Sequence, residues 1–326
     1  MKQTAIATTK TTQLDLVTKD GLDVSVLAGQ VGPRTASMYQ RDTKAYTVWA
    51  KTQQLDPLVP STFARFRASL ATVPYNDKGD HYSPRTINRM LSAVKAVVRE
   101  GSVQGYLGPQ GRDLAKQFDD VVGVKVVAMK DRVKKSARVR ISPSTMRSIV
   151  DQPDVQTQVG VRDRAFLLVL ASSGVRVDDA VSLTLDQLEV REDGFGIMVA
   201  GKNKTEKEFR PLTVEAWNAV QKWLDVRPVD SDDVFVGSQG PGRPWFLSAM
   251  SAVGAWKLVK KYAGRVDPQL GKTIKPHDFR RFVGTQLVQT KGVGVAQKVL
   301  GHKDARTTLN HYDLSEVQAN ATEGLF

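Results

Sequence analysis

The sequence PHDFRRFVGTQLVQTKG, residues 276–292, is the most informative stretch of this chain. Its apolar residues Phe279, Val283 and Leu287 recur every four positions, which predicts a helix with one buried face. His277 and Arg280 are neighbours near the first turn of that helix. Free N–H groups and the dipole at a helix N-terminus attract anions. The pair therefore predicts an anion site, although a capping histidine and an unrelated surface arginine would give the same pattern.

Two flanking motifs carry further polar candidates. Downstream, VLGHKDARTTLNHY places His302 directly after a glycine that ends a short helix, with Tyr312 ten residues later. Upstream, SSGVRVDDAVSL places Arg176 just after a glycine at a helix end. Each residue alone has an ordinary structural explanation, such as a salt bridge from Arg176 to Asp178 or Asp179. Their order along the chain makes them informative.

Composition restricts the classes of function. The 326 residues contain no cysteine, which excludes disulfides, zinc–thiolate sites and cysteine nucleophiles. A phosphate-binding P-loop and a Gly-x-Ser-x-Gly nucleophile elbow are absent from the sequence, and the four histidines lack metal-ligand spacing. The net charge of +13 favours a polyanionic partner. The N-terminus does not resemble a signal peptide and no apolar run is long enough for a membrane span, so we expect a cytoplasmic protein that is not secreted.

The pattern of the chain predicts four parts. Residues 1–30 show no sustained period and are interpreted as a flexible arm, and residues 31–130 as a small all-helical domain. Residues 131–140 are interpreted as a linker, and residues 141–326 as a second domain, mostly α with one small sheet. The predicted fold class is therefore mainly α with a small β-sheet, in two domains.

Several elements are predicted individually. SPRTINRMLSAVKAVVREG has a helix-starting Ser83-Pro84 and a regular apolar stripe, and VRDRAFLLVLASSG is an apolar helix ending at Gly174. GFGIMVA and EFRPLTV are strand-like runs joined by the polar turn GKNKTEK, which carries Lys202 and Lys204. Leu188–Val190 is a candidate third strand. The basic stretch KDRVKKSARVR either is a solvated linker or lies along a phosphate backbone, and the two interpretations are compatible.

Taken together, the motifs resemble those of the tyrosine recombinases, the family that includes the phage integrases. The family order is Arg, then Lys on a β-turn, then His-x-x-Arg, then Leu-Gly-His, then Tyr. Here it reads SGVRVDDAVSL, GKNKTEKEFRPL, HDFRRF, LGHKDARTT and Tyr312. The N-terminal segments PRTASMYQRDTKAYTVW and SPRTINRMLSAVKAVVREG resemble the family's helical, SAM-like core-binding domain, so the resemblance covers roughly residues 31–315.

The resemblance implies roles for these residues. Arg176 and Arg280 would hold the phosphate oxygens, His277 and His302 would donate to the phosphate or move the tyrosine proton, and Tyr312 would attack. A hairpin lysine, Lys204 with Lys202 as the alternative, would protonate the leaving oxygen. Neither metal nor ATP would be required. The chain departs from the family at Asp179, where glutamate is usual, and by one extra residue between His302 and Tyr312.

The resemblance also implies partners. These are double-stranded DNA recombination sites and three further copies of the chain in a homotetramer, near the nucleoid and away from membranes. The type IB topoisomerases, which use nearly the same residues, and an inactive DNA-binding regulator remain as alternatives. The candidate DNA-binding residues are Arg85, Arg89, Lys95, Lys130, Arg132, Lys134, Lys135, Arg138 and Arg140.

Overall fold

A computed structural model of the chain describes residues 15–132, 140–200, 206–239, 242–302 and 304. The chain divides into two compact units, Met1–Ser136 and Ala137–Phe326. The division falls within the stretch 131–140 that the sequence analysis interprets as a linker. No helix in the described part of the chain is both long and apolar enough to cross a bilayer.

The N-terminal unit is a helical bundle with a very small hairpin at its start. A 3-10 helix at Val24–Leu27 follows the hairpin, and another at Val127–Arg132 ends the described part of the unit. The strands and α-helices of the unit are β1 (Val17–Thr18), β2 (Gly21–Leu22), α1 (Pro33–Thr52), α2 (Pro60–Thr72), α3 (Pro84–Val103) and α4 (Gly111–Asp120).

The helix α3 forms the centre of this bundle for the reasons that its sequence predicts. The Ser83 hydroxyl accepts a hydrogen bond from the backbone N–H of Thr86, which caps the first turn, and Pro84 occupies the first helical position. The apolar stripe, of which Ile87 and Val94 are members, is fully buried. Each such side chain contributes roughly 1.5–3 kcal/mol by leaving water.

The flexible arm predicted over residues 1–30 is wrong for residues 15–30. Leu16, Leu22 and Leu27 are buried in the core of the N-terminal unit, and Leu16 packs directly on Gly101 of α3. Strands of two residues and a 3-10 helix of four are too short to show a hydrophobic period, so the sequence pattern contained no signal for them. Residues 1–14 lie outside the described residues.

The C-terminal unit is also mainly helical and contains one three-stranded and one two-stranded antiparallel sheet among its described residues. A 3-10 turn at Leu185–Gln187 leads into the larger sheet. The α-helices and strands are α5 (Pro143–Val150), α6 (Gln158–Ser173), α7 (Val177–Val181), β3 (Leu188–Arg191), β4 (Gly194–Ala200), β5 (Lys207–Leu212), α8 (Val214–Val226), β6 (Val236–Ser238), β7 (Trp245–Ala249), α9 (Ala252–Val266), α10 (Pro268–Thr273), α11 (Pro276–Lys291) and α12 (Val293–Leu300).

The larger sheet confirms the predicted strands, including the third. It has the order β3–β4–β5, with Ile197 opposite Arg210 and Ala200 opposite Lys207. The turn between β4 and β5, which holds both candidate lysines, includes residues 201–205, which lie outside the described residues. The predicted fold class, mainly α with a small amount of sheet, is confirmed.

Two short hairpins differ from the prediction of an all-helical first domain and a single sheet in the second. The hairpins β1–β2 and β6–β7 were not predicted, because their strands are only two to five residues long. Helix α10 was not predicted either. It has only six residues and follows α9 after a single non-helical residue, Asp267.

Candidate active site

The first turn of α11 carries His277 and is held by a local cap. The Asp278 carboxylate accepts a hydrogen bond from the backbone N–H of Lys275 at 2.9 Å, which satisfies an amide at the start of the helix. Phe279 is fully buried, as the four-residue period predicts, so α11 presents the opposite side of its first turn outward. His277 is exposed there.

Arg280 is buried, with only 3 % of its surface exposed, so the interpretation as an unrelated surface arginine is wrong. Its Nη1 donates to the carbonyl oxygen of Gly174 at 2.7 Å. Its Nη2 donates to the carbonyl oxygen of Leu300 at 2.7 Å and lies 3.0 Å from Nε2 of His302. The guanidinium therefore joins α11 to the ends of α6 and α12, and both ends carry a predicted site residue.

The His302 side chain is oriented by this arginine. A guanidinium has donors only, so His302 Nε2 accepts the hydrogen bond from Arg280 and the neutral ring carries its proton on Nδ1. The backbone of His302 is held as well, because its N–H donates to the carbonyl of Gln297 and its carbonyl accepts from the Gln297 amide, both at 3.1 Å. Gly301 ends α12 with φ of 66°, as predicted.

Arg176 lies at the start of α7, two residues after the glycine whose carbonyl binds Arg280. Gly174 has φ of 62°, and a Cβ atom at this position would come within 2.9 Å of Leu300 and 3.1 Å of Val283. Glycine thus allows the end of α6 to approach α11 and α12 closely. This close approach brings the segment that carries Arg176 to the segments that carry Arg280 and His302.

Asp179 lies near both arginines. Its Oδ2 is 3.7 Å from Nη1 of Arg176, so the salt bridge considered in the sequence analysis is present. Burial raises the pKa of Asp179, and the positive charges of Arg176 and Arg280 oppose this rise. The carboxylate therefore partly neutralises the two cations and helps to hold Arg176 in place.

Three of the predicted catalytic residues cannot be placed. Lys202, Lys204 and Tyr312 lie outside the described residues. The strands that flank the lysine turn are described up to Ala200 and from Lys207, which face each other across the hairpin.

Tyr262 is the tyrosine closest in sequence to this site among the described residues, and it is poorly suited to nucleophilic attack. It is buried, and its hydroxyl donates to Oδ2 of Asp163 at 2.8 Å. Burial and the Asp163 charge raise the pKa of Tyr262 well above its usual value. The hydroxyl is a structural donor.

The candidate DNA-binding residues of α3 differ in their surroundings. Arg85 is exposed. Arg89 pairs with the buried carboxylate of Asp42 at 2.9 Å. Lys95 donates to the carbonyls of Asp119 and Val121 at the end of α4, at 2.9 and 2.6 Å, and burial lowers its pKa. Arg89 and Lys95 therefore already stabilise the bundle.

The remaining DNA-binding candidates belong to the basic stretch between the units. Arg140 is exposed at the start of the C-terminal unit. Lys134, Lys135 and Arg138 lie outside the described residues, as do the side chains of Lys130 and Arg132.

Two charged residues beside the site, Glu208 and Arg210 of β5, were not predicted from the sequence. Arg210 is buried and donates to the carbonyl of Lys298, in the last turn of α12. A signal was present in the strand pattern, because positions 208, 210 and 212 share one face of β5 and Leu212 faces the core. An arginine at such a position requires a partner, and Glu208 is two residues away on the same face.

Potential metal ligands do not cluster in the described part of the chain, where no group of three or more His, Asp or Glu side chains is placed to hold an ion. The described polar groups of the site are two arginines, two histidines and the carboxylate of Asp179. A set of this kind binds and polarises a phosphodiester by hydrogen bonds and positive charge. Fold and site thus define a mainly helical enzyme domain for chemistry on phosphate esters.

Comparison with known proteins identifies the family. The phage integrase family model matches residues 140–318, more than half of the chain and all five motifs, and the chain belongs to this family. It is accordingly a tyrosine recombinase, an enzyme of DNA recombination.

Individual relatives extend the match to the N-terminal unit. Tyrosine recombinase XerC of Pseudomonas fluorescens is 28 % identical over 284 residues, which cover 86 % of this chain and 85 % of the relative. Tyrosine recombinase XerD of Lacticaseibacillus casei is 25 % identical, with 86 % and 88 % covered.

Solved structures share the fold at low sequence identity. The Tn1549 transposon integrase in complex with circular intermediate DNA matches with a TM-score of 0.62 at 18 % identity, covering 92 % of this chain and 98 % of that one. The XerH site-specific recombinase bound to a palindromic difH substrate in a post-cleavage complex also gives 0.62, at 14 % identity, covering 89 % and 78 %.

Proposed function

We propose that this chain recombines specific DNA sites by attack of Tyr312 on the scissile phosphate, which gives a 3′-phosphotyrosine and a free 5′-hydroxyl. Exchange of one pair of cleaved strands gives a Holliday junction. The free 5′-hydroxyls rejoin the strands by attacking the phosphotyrosine bonds, which releases Tyr312. The observation that carries the proposal is the buried Arg280, whose guanidinium contacts the Arg176 segment and His302. These contacts support a site at which Arg176, Arg280 and His302 act on one phosphate.

Each residue of the set has a role set by its chemistry. Attack on a phosphodiester concentrates negative charge on the non-bridging oxygens, and planar, permanently charged guanidiniums suit that charge. We assign this role to Arg176 and Arg280. His302, neutral with its proton on Nδ1 and with Nε2 bonded to Arg280, can donate to the phosphate. The exposed His277 donates to the phosphate or accepts the proton of Tyr312.

The 5′ oxygen is a poor leaving group unless it receives a proton. We assign that proton to Lys204 in the turn between β4 and β5, because the Lys204-Thr205 pair resembles the family form, with Lys202 as the alternative. Cations of the chain supply the charge stabilisation that a metal ion would give. The covalent bond keeps the phosphodiester energy, so that rejoining needs no ATP.

A homotetramer on two paired sites is the proposed active assembly. In it, the N-terminal unit and the C-terminal unit bind double-stranded DNA, and Arg85 and Arg140 are the candidates that are exposed in the described part of the chain. Binding that neutralises several phosphates is expected to weaken steeply with salt. A substrate of this kind places the enzyme at the nucleoid.

Replacement of Lys204 by alanine should slow cleavage of ordinary DNA by about 10²–10⁴-fold, the usual contribution of a general acid. The same variant should cleave a substrate with sulfur in place of the 5′-bridging oxygen at nearly the wild-type rate. The pKa of a thiol such as that of cysteine is about 8.5, so the sulfur leaves as a thiolate without taking up a proton. Single-turnover cleavage of the two substrates measures the effect.

Lys202→Ala is the matched control, since it removes a like charge from the same turn. It should slow neither substrate by more than about threefold. If Lys202→Ala is instead the variant whose cleavage rate is low on ordinary DNA and recovers on the sulfur substrate, the proton donor is Lys202 and the assignment to Lys204 is wrong.

The proposed function itself is tested with a plasmid carrying two copies of the DNA that flanks the gene in its native genome. Incubation with the protein in EDTA and without ATP should give two recombinant circles. Relaxation of the plasmid without recombinants would favour the type IB topoisomerase alternative. Binding without any covalent adduct would favour the inactive regulator, and both results would contradict the proposal.

A further inference from the structure

We infer that Arg210 is a positioning residue, which holds the His302 turn in register for cleavage. The inference rests on the proposed function, because it assigns Arg210 an effect through His302. Arg210 is on β5, the strand that follows the lysine turn, and it contacts the last turn of α12, which leads into His302. One side chain therefore links β5 to the turn that carries His302.

Arg210 is almost completely buried and is held from two sides. Its Nη1 donates to the carbonyl oxygen of Lys298 at 3.1 Å, and its Nη2 donates to Oε2 of Glu208 at 2.5 Å. Only 4 % of Arg210 is exposed. A buried arginine with a carboxylate partner and a carbonyl acceptor holds its geometry tightly, because loss of either contact leaves a charge or a polar group unpaired.

The contact is made at the cap that orients His302. The carbonyl of Lys298 also accepts the N–H of Gly301, and the carbonyl of Gln297 accepts the N–H of His302. These bonds form the helix end with its left-handed glycine. Arg210 therefore binds an acceptor of the same turn that fixes the His302 backbone, since Lys298 directly follows Gln297, whose carbonyl accepts the N–H of His302.

Gly301 shows how closely the guanidinium approaches that turn. A Cβ atom at position 301 would overlap Nη2 of Arg210, and would lie 2.9 Å from Cζ of Arg210 and 2.9 Å from Oε2 of Glu208. The space that any other residue would fill is occupied by the Arg210–Glu208 pair. Glycine is needed here both for its positive φ and for this packing.

A displacement of the His302 turn by about 1 Å is enough to slow catalysis by about 10²-fold when reacting groups must be aligned. Replacement of Arg210 by methionine should therefore slow cleavage at saturating DNA by about 10–100-fold, and leave the Kd for DNA within about twofold. A merely structural role would lower the melting temperature and leave the saturating rate of the folded protein unchanged.

Arg210→Lys is the second variant, because it keeps a cation beside Glu208 and should fold. Its single ammonium cannot form the planar pair with Glu208 and reach the Lys298 carbonyl together, so the saturating rate should fall by an intermediate factor. Arg191→Lys is the matched control. Arg191 is also a strand arginine paired with a glutamate two residues away, Glu189 at 2.6 Å, but it is partly exposed, and its other contacts are with Met198 and the ring of Phe209 in the same sheet.

The measurement is single-turnover formation of covalent adduct on a nicked substrate at saturating DNA, with Kd from fluorescence anisotropy and with His302→Ala in parallel. If wild-type protein forms no adduct, or if His302→Ala cleaves at the wild-type rate, the proposed function fails. If both behave as proposed and Arg210→Lys cleaves within about twofold of wild type at saturating DNA, the inference about Arg210 is overturned. A loss confined to Kd would overturn it equally.

Discussion

Replacement of Arg280 by lysine is expected to lower the rate of DNA cleavage by about 10³-fold, the loss seen when one preorganised donor to a developing oxyanion is removed. Lysine keeps the positive charge. A single ammonium cannot reproduce the planar set of contacts that Arg280 makes to the Gly174 carbonyl, the Leu300 carbonyl and His302. The scissile phosphate would lose one planar set of hydrogen-bond donors, and His302 would lose the donor that sets its tautomer.

The matched control for this variant is Arg281→Lys. Arg281 is the next residue of α11, but its guanidinium pairs with Asp278 at 3.1 Å and lies on a more exposed side of the helix. Single-turnover cleavage should stay within about threefold of wild type in this control. Equal rates for Arg280→Lys and wild type at saturating DNA would contradict the placement of Arg280 against the phosphate.

Replacement of Tyr312 by phenylalanine is expected to have the largest effect of all, a loss of at least about 10⁴-fold in covalent adduct, because the nucleophilic oxygen is removed. Binding of DNA should remain, since the cations of the two units are unchanged. SDS-resistant adduct on a nicked half-site measures the first effect and fluorescence anisotropy the second.

Tyr262→Phe is the control that separates chemistry from folding. Its hydroxyl donates to the buried Asp163, so its removal should reduce the free energy of unfolding by about 1–3 kcal/mol and leave adduct formation intact. Loss of adduct in Tyr262→Phe with a normal melting temperature would contradict the assignment of the nucleophile to Tyr312.

Much of the fold could be predicted from local patterns. Helix α3 has a serine cap, a first-turn proline and an unbroken apolar stripe, and all three signals agree with its bounds. The same reasoning failed for residues 15–30, because Leu16 and Leu22 are buried by contacts with distant helices and lie in or beside strands too short for a period. Packing between residues that are far apart in the sequence produces no hydrophobic period within a short stretch of it.

The site residues that belong to a recognisable motif could be predicted from the sequence. The residues whose role depends on their burial in the folded chain could not. The sequence placed Arg176, Arg280 and His302 in order, and the structure brings Arg280 into contact with the segment of the first and with the side chain of the last. Burial of Arg280 among carbonyls was not predictable, since an arginine on a helix is usually solvated. Arg210, in contrast, could have been predicted, since it shares one face of β5 with the core residue Leu212.

Peptide mapping of the covalent adduct identifies directly the residue that is bonded to DNA, which we assign to Tyr312. Wild-type protein would be trapped on a nicked substrate, the DNA trimmed by nuclease, and the protein cut with trypsin for mass spectrometry. Cleavage after Arg306 gives the peptide 307–326, in which Tyr312 is the only tyrosine. We expect a nucleotide on that peptide at Tyr312. A nucleotide on any other residue, Tyr262 included, would contradict this assignment.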